Sequence, residues 1–437
     1  MTRSALALII ACIAPVAVQA VLVVDQDGGG DFIAIQPAIE AAVTGDEIVV
    51  HPGIYVENLD FLGKDLWLHS LSGPATTIID GSAGPVGDGS CIQFQTGETA
   101  SAVVEGFTLR GGAGTMIVSM QLEEGLERDN IVGGAIFCRA ASPTLRDCLF
   151  TENAANYAGA VFVDHSVLRI EDCEFRANHS GTYASVIGGL LSSLVVSRCV
   201  FAGNDAGAGD GAIHITGSLE VEDCVFHGNR ARAGGAVNAP DYRAVFSLRR
   251  CRFQQNSAHI DHGGAIRVHE GVLMLDECLF VENDAVVDGG AIMMLDGATG
   301  LLRRCTFVRN QALRFGGHIA LHGGNPAISN CILAEALANG GLYCSTGLPS
   351  LSCNDAWQNV GGDYIGIADP TGTMGNISAD PLFCDPAGGD YSLDAGSPCA
   401  PDMNPQCGLV GAFGVGCSGP SPTESVSWGR LKTAFRE

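Results

Sequence analysis

Charge is scarce in this 437-residue chain, and positive charge is scarcer: 16% of residues are charged, with 23 Lys and Arg against 48 Asp and Glu, a formal net charge of −25. Such a surface repels phosphate backbones and anionic head groups, which excludes nucleic acid and leaves cations, glycans or proteins as partners. The 59 glycines follow no strict Gly-X-Y period, so a collagen is excluded and a turn-rich β architecture remains. None of the 17 cysteines stands in a C-x-x-C pair, which argues against zinc. Beyond the N-terminus no apolar run is long enough to span a bilayer. Disorder is excluded in turn, because 46% apolar content suffices for a substantial core.

The N-terminus has the pattern of an export signal. Arg3 precedes an apolar run from Ala5 to Val18, and Val18-Gln19-Ala20 offers a small residue for cleavage, so residues 1–20 are expected to be a signal peptide. Ile9-Ile10-Ala11-Cys12 is the competing pattern, a lipobox that would leave Cys12 lipid-anchored. Either way the protein is expected to be secreted or attached to the cell surface.

An internal repeat dominates the remainder. Cys148-Leu-Phe-Thr-Glu-Asn153 recurs from Cys173, Cys199, Cys224, Cys251, Cys278 and Cys305, with a degenerate copy at Cys331. A second element alternates with it: Gly133-Gly-Ala-Ile136, Ala158-Gly-Ala-Val161, Asp210-Gly-Ala-Ile213, Gly234-Gly-Ala-Val237, Gly263-Gly-Ala-Ile266, Gly289-Gly-Ala-Ile292 and Gly316-Gly-His-Ile319. The coil from Cys173 lacks a clean copy and is expected to distort. Alternation within each repeat has period two, as in Val272-Leu273-Met274-Leu275, so the elements are short strands. One such coil cannot bury its own inward face and must stack on its neighbours. The Ile136 to Ile319 series and the Phe150 to Phe307 series are predicted inward ladders, and Asn153 and its equivalents a turn ladder using left-handed backbone angles.

The paired F-x-x-N and G-G-A-[ILV] elements resemble the repeats of bacterial polymorphic outer-membrane proteins, which are surface adhesins. The flanks, Gly30-Asp31-Phe32 through Pro52-Gly53-Ile54-Tyr55 and Ala379-Asp-Pro-Leu-Phe383, resemble the wider family of secreted pectin-lyase-like proteins. These resemblances imply an all-β, right-handed parallel β-helix. Residues 21–60 then form an N-terminal cap and first coil, 61–343 the coils with regular repeats over 133–331, 344–417 a disulfide-containing closing region, and 418–437 a tail. Pro37 fits the first turn of a capping helix with Ile39 and Val43 facing down. The cysteine ladder from Cys148 to Cys331 is expected to pack as free thiols. Disulfides are expected among Cys344, Cys353, Cys384, Cys399, Cys407 and Cys417, in a chain that leaves the cytoplasm.

Chemistry must come from residues that the repeat does not explain. After each Gly-Gly-Ala the outward positions are predicted to be Phe137, Phe162, His214, Asn238, Arg267, Met293 and Ala320, then, two residues on, Arg139, Asp164, Thr216, Pro240, His269, Leu295 and His322. Asp164, Arg267, His269 and His322 are the candidate catalytic residues on this face. A calcium-dependent lyase would need more carboxylates beside them. Asp261-His262-Gly263-Gly264 reads as a turn in which His262 is a cap. The excursion from Gly112 to Gly133 carries Glu123, Glu124, Glu127 and Asp129, candidate ligands for calcium at an acidic lip; no other cofactor is implied. The favoured expectation is a non-enzymatic surface module for adhesion, binding or envelope structure, with a polysaccharide or a host or envelope protein as partner. The alternative is a lyase or hydrolase acting on an acidic polysaccharide.

Overall fold

The computed structural model describes residues 19–84, 88–121, 127–181, 186–242 and 244–417. Residues 1–18 of the expected signal peptide, Cys12 among them, and the tail 418–437 lie outside these. The described chain winds into an all-β parallel β-helix of about twelve turns, counted from a twelve-stranded parallel sheet that runs from Gly53–Val56 to Asp355–Trp357. One coil illustrates all: Ile266–His269, Val272–Asp276, Leu279–Val281 and the short Asp284–Ala285 each pair in register with their equivalents one coil on. Strand Ser350–Ser352 continues the ladders past residue 343.

The repeat motifs account for the turns. The first residue of each Gly-Gly-Ala is left-handed, with φ +71° at Gly263 and +69° at Gly289. A Cβ on the second would collide with a carbonyl oxygen of the neighbouring coil, as at Gly264 against Gly290, so both positions demand glycine for different reasons. The asparagine expectation needs a correction. The left-handed residue is the one before each asparagine, Glu282 with φ +54° before Asn283, and the asparagine side chains are buried. The Asn283 Oδ1 accepts from the backbone and side-chain N–H groups of Asn256 at 3.0 Å each, while its Nδ2 donates to the Phe253 carbonyl at 2.9 Å. Asparagine is required here for its amide, which satisfies main-chain groups stranded at a buried corner.

Inside, the predicted ladders are present. Phe150, Phe175, Phe201, Phe226, Phe253, Phe280 and Phe307 stack face to face, with successive ring centres 4.5 to 4.9 Å apart. Ile187 fills the gap in the isoleucine series between Val161 and Ile213. Among its described residues the coil there shows a register shift between Gly189 and Ser192. Cys148 through Cys331 are buried free thiols. Two disulfides, Cys353–Cys407 and Cys384–Cys417, tie down the closing region, whereas Cys344 and Cys399 remain free and buried.

The N-terminal end is closed by the helix Ile35–Ala41, which buries Ile35, Ala38 and Ile39. Val43 lies beyond it and is exposed, contrary to expectation, because the helix begins two residues before Pro37 and ends before that face repeats. Ala34 offers no side-chain cap, and Glu57 substitutes, its carboxylate accepting from the Ile35 and Gln36 N–H groups at 2.8 and 2.9 Å.

A second correction concerns the outward face. Phe137, Phe162, His214, Asn238, Met293 and Ala320 point away from the core yet are buried. The Gly112 to Gly133 excursion is an antiparallel hairpin, Gly114–Gln121 with Glu127–Val132. Its Ile117 and Val132 pack with Phe137, Tyr157, Ala158 and Phe162 into a separate apolar cluster outside the solenoid. Rings too large to leave in water had to be covered, and the hairpin covers them.

Candidate functional site

The residue before each Gly-Gly turn forms a rank along the solenoid. Val132 at the end of the hairpin and Tyr157 beneath it belong to it, and His262, Asp288 and Phe315 belong to it several coils on. Beyond the coils reached by the hairpin cluster, the rank carries the polar and aromatic residues His262, Asp288 and Phe315. Backbone donation from Gly263 to the Asp288 carbonyl, and from Gly289 to that of Phe315, holds these residues one coil apart.

Asp288 is the centre of this stretch. Its side chain is 2% exposed, and Oδ2 lies 3.1 Å from His322 Nε2 and 3.5 Å from His262 Nδ1. Asp288 Oδ1 and the Arg267 Nε are buried without a hydrogen-bond partner. A buried carboxylate is costly unless cations or donors surround it; His322 Nε2 supplies one such contact, while His262 Nδ1 stands nearby without a hydrogen-bond partner. His262 also meets Asp261 Oδ1 at 3.0 Å. Burial holds its pKa below the ordinary histidine value, opposed by Asp261 and Asp288 and assisted by Arg267 and His322.

His322 reaches outward from the strand Ile319–His322, and its Nδ1 lies 2.7 Å from the Ser345 Oγ. Ser345 is exposed and sits at an irregularity, since Leu321 pairs with Cys344 but His322 pairs with Thr346. It is therefore the extra residue of a β-bulge, a feature that re-aims a side chain. Beside it Tyr343 stacks on Phe315 at 4.3 Å and meets the His322 ring at 5.5 Å. The Arg314 guanidinium lies 5.6 Å from the centre of the Phe315 ring.

Of the residues picked from sequence, His322 and Arg267 fall in or beside this cluster and the others do not. His269 is engaged by Asp296 at 2.9 Å and by the Pro240 carbonyl at 3.2 Å. Asp164 is engaged by Arg139 at 2.9 Å and His165 at 2.6 Å. It stands six coils from His322, roughly 29 Å at about 4.8 Å per coil. Equivalent positions along a solenoid share a rank without sharing a place, so the four do not form one site. The Arg267 Nη1 donates to Asn238 Oδ1 at 3.3 Å. Glu123 and Glu124 lie outside the described residues; Glu127 and Asp129 stand on the hairpin strand Glu127–Val132. Among the described residues no group of three His, Cys, Asp or Glu side chains is disposed to hold a metal ion.

Asp288 and Ser345 were missed. Asp288 precedes a repeated Gly-Gly and reads as turn residue, and Ser345 follows the last clear repeat, where the register can no longer be counted. The available signal was variation at the pre-glycine position, Val132, Tyr157, Ala233, His262, Asp288, Phe315, within an otherwise fixed motif.

No family model and no curated protein matches the sequence. Among solved structures, the chain is similar to pectate lyase Pel9A, at 12% identity over 92% of this chain and 98% of that one, TM-score 0.40. It is also similar to the alginate lyase AlyF-OU02, solved in complex with G6, at 10% identity over 92% and 97%, TM-score 0.41. A third is PfbA, a surface adhesin of Streptococcus pneumoniae, at 10% identity over 76% and 88%, TM-score 0.31. Identities and scores this low assign this chain neither a substrate nor a role.

Proposed function

We propose that this protein is an exported β-solenoid that binds a polysaccharide along its outer face, in the stretch around Phe315, His322 and Tyr343. The observation that carries the reading is the half-buried Phe315–Tyr343 ring pair, 4.3 Å apart and flanked by Arg314 and His322. Stacked rings bordered by a few fixed polar groups suit sugar faces, which are apolar across the ring and polar at the edge. A rigid face of coils spaced about 4.8 Å apart also suits an extended chain better than a compact ligand. Two disulfides support export to an oxidising compartment, and among the described residues no helix is long and apolar enough to cross a membrane.

The test is affinity electrophoresis of the mature protein through neutral and acidic polysaccharides, with and without calcium. Retention is expected for at least one glycan and should weaken about tenfold in Phe315→Ala/Tyr343→Ala, the equivalent of about 1.4 kcal/mol. Equal retention by the double variant overturns the site, and a calcium requirement would direct attention to Glu123, Glu124, Glu127 and Asp129. Shortening of an acidic chain during the incubation would favour the lyase or hydrolase alternative.

A further inference from the structure

We infer that Ser345, His322 and Asp288 form a hydrolytic site for carboxylic esters, an activity beyond polysaccharide binding and at odds with a purely adhesive role. Three successive coils each contribute one member. Asp288, buried, meets His322 Nε2 at 3.1 Å, and His322 Nδ1 meets the exposed Ser345 Oγ at 2.7 Å. An ionised carboxylate only accepts hydrogen bonds, so Asp288 fixes the proton on Nε2 and leaves Nδ1 as the acceptor for the serine hydroxyl. Nucleophile, base and orienting acid are thus linked in order, with the two ring nitrogens exchanged relative to the usual serine-hydrolase arrangement.

Three features separate this from a solvated surface contact. The carboxylate is withdrawn from water, with Oδ1 unpartnered, so its interaction with the imidazole is strong and directional. Ser345 is the bulged residue of its strand, placed where a regular pairing would not put it. His322 is also packed against the Tyr343 ring, which restricts the imidazole to the orientation that serves both partners.

The chemistry closes without a cofactor. The Ser345 Oγ attacks the ester carbonyl carbon as its proton passes to His322 Nδ1. Collapse of the tetrahedral adduct breaks the bond to the alkoxy oxygen, which leaves as the alcohol with that proton. Water then attacks the acyl-serine, giving its proton to Nδ1, and collapse releases the carboxylic acid while the proton returns to Oγ. Asp288 remains ionised throughout and steadies the imidazolium. The substrate class is an ester borne by a chain that lies across the Phe315–Tyr343 rings.

The test uses the mature protein with p-nitrophenyl acetate and with a fluorophosphonate probe, locating the label by peptide mass. Labelling of Ser345 and hydrolysis above the buffer rate are expected. Ser345→Ala should return to the buffer rate and His322→Ala should fall about 10²-fold or more. Asp288→Asn, checked for retained β-sheet by circular dichroism, should also lower the rate, because the amide no longer holds the reactive tautomer. Label on other serines, or a Ser345→Ala rate equal to the parent, overturns the inference. The assay is independent of the glycan reading: retention of a polysaccharide without ester hydrolysis sinks this inference alone, and hydrolysis without retention sinks only the binding proposal.

Discussion

At the scale of single residues, two buried titratable groups set opposite pH dependences. His318 stands where the repeat otherwise has alanine and is fully buried, its Nδ1 accepting from Asn310 Nδ2 at 3.0 Å and its Nε2 donating to the Ala334 carbonyl at 3.1 Å. Burial pushes its pKa down to about 3, so below its ordinary 6.5 the unfolded chain binds a proton that the native one refuses. Stability from this group is therefore lost as pH falls from 6.5 towards 3. Asp355 behaves inversely. Burial raises it to about 7 from 3.8, opposed by the Ala379 N–H and the Cys399 thiol. Between those values the unfolded chain is ionised while the native carboxyl is protonated, so stability falls as pH rises through the window. Asp355→Asn should gain on the parent between pH 4 and pH 7, by about 4 kcal/mol at most, measured by urea unfolding at both pH values. No relative gain would show that the carboxyl is not held neutral.

At the scale of elements, the hairpin Gly114–Gln121 and Glu127–Val132 is the addition that makes this solenoid's surface differ from end to end. It covers Phe137 and Phe162, which a bare outer face would expose, and the apolar cluster it forms includes no residue of the coils bearing His262, Asp288 and His322. Ile117→Asp would bury a carboxylate against those rings, and the hairpin is expected to detach instead. The predicted readout is increased binding of a hydrophobic dye and faster proteolysis within residues 112–133, with the far-ultraviolet β signal unchanged. Loss of the whole β signal would mean that the hairpin supports the coils as well as covering them. The asparagine ladder is a second element-scale device: it links corner to corner through buried amides, so its cost and benefit are shared along many coils.

At the scale of the whole molecule, a solenoid has two open ends, and each exposes a strand edge able to pair with another chain. Helix Ile35–Ala41 closes one, whereas the segment held by Cys353–Cys407 and Cys384–Cys417 lies back along the outer face of the twelve-stranded sheet, where Tyr391, Leu393 and Val410 pack with Leu279, Val308 and Ile332. The sequence separations of 54 and 33 correspond to about 4 kcal/mol of chain entropy for each crosslink. Reduction should therefore release the closing region first, and limited proteolysis under reducing conditions is expected to cut after residue 357 while the coils to Asp355–Trp357 survive. Global unfolding on reduction would instead show that the coils depend on this C-terminal segment.

The sequence by itself determined the β-helix, because a fixed period of cysteine, phenylalanine, asparagine and Gly-Gly-Ala permits only one stacking that buries every inward face. It also determined which residues form the ladders, since alternation of period two separates inward from outward positions. It placed His322 and Arg267 on the outer face but could not choose among outward residues, because a rank of equivalent positions extends over many coils and spacing in sequence does not tell which of them touch. Only the tertiary structure decided that Phe137 and Phe162 lie beneath a hairpin, that Asp288 turns towards His322, and that a bulge aims Ser345 at the same imidazole. Those contacts join residues 23 and 34 positions apart, and they depend on local departures from the repeat, which periodicity alone does not register.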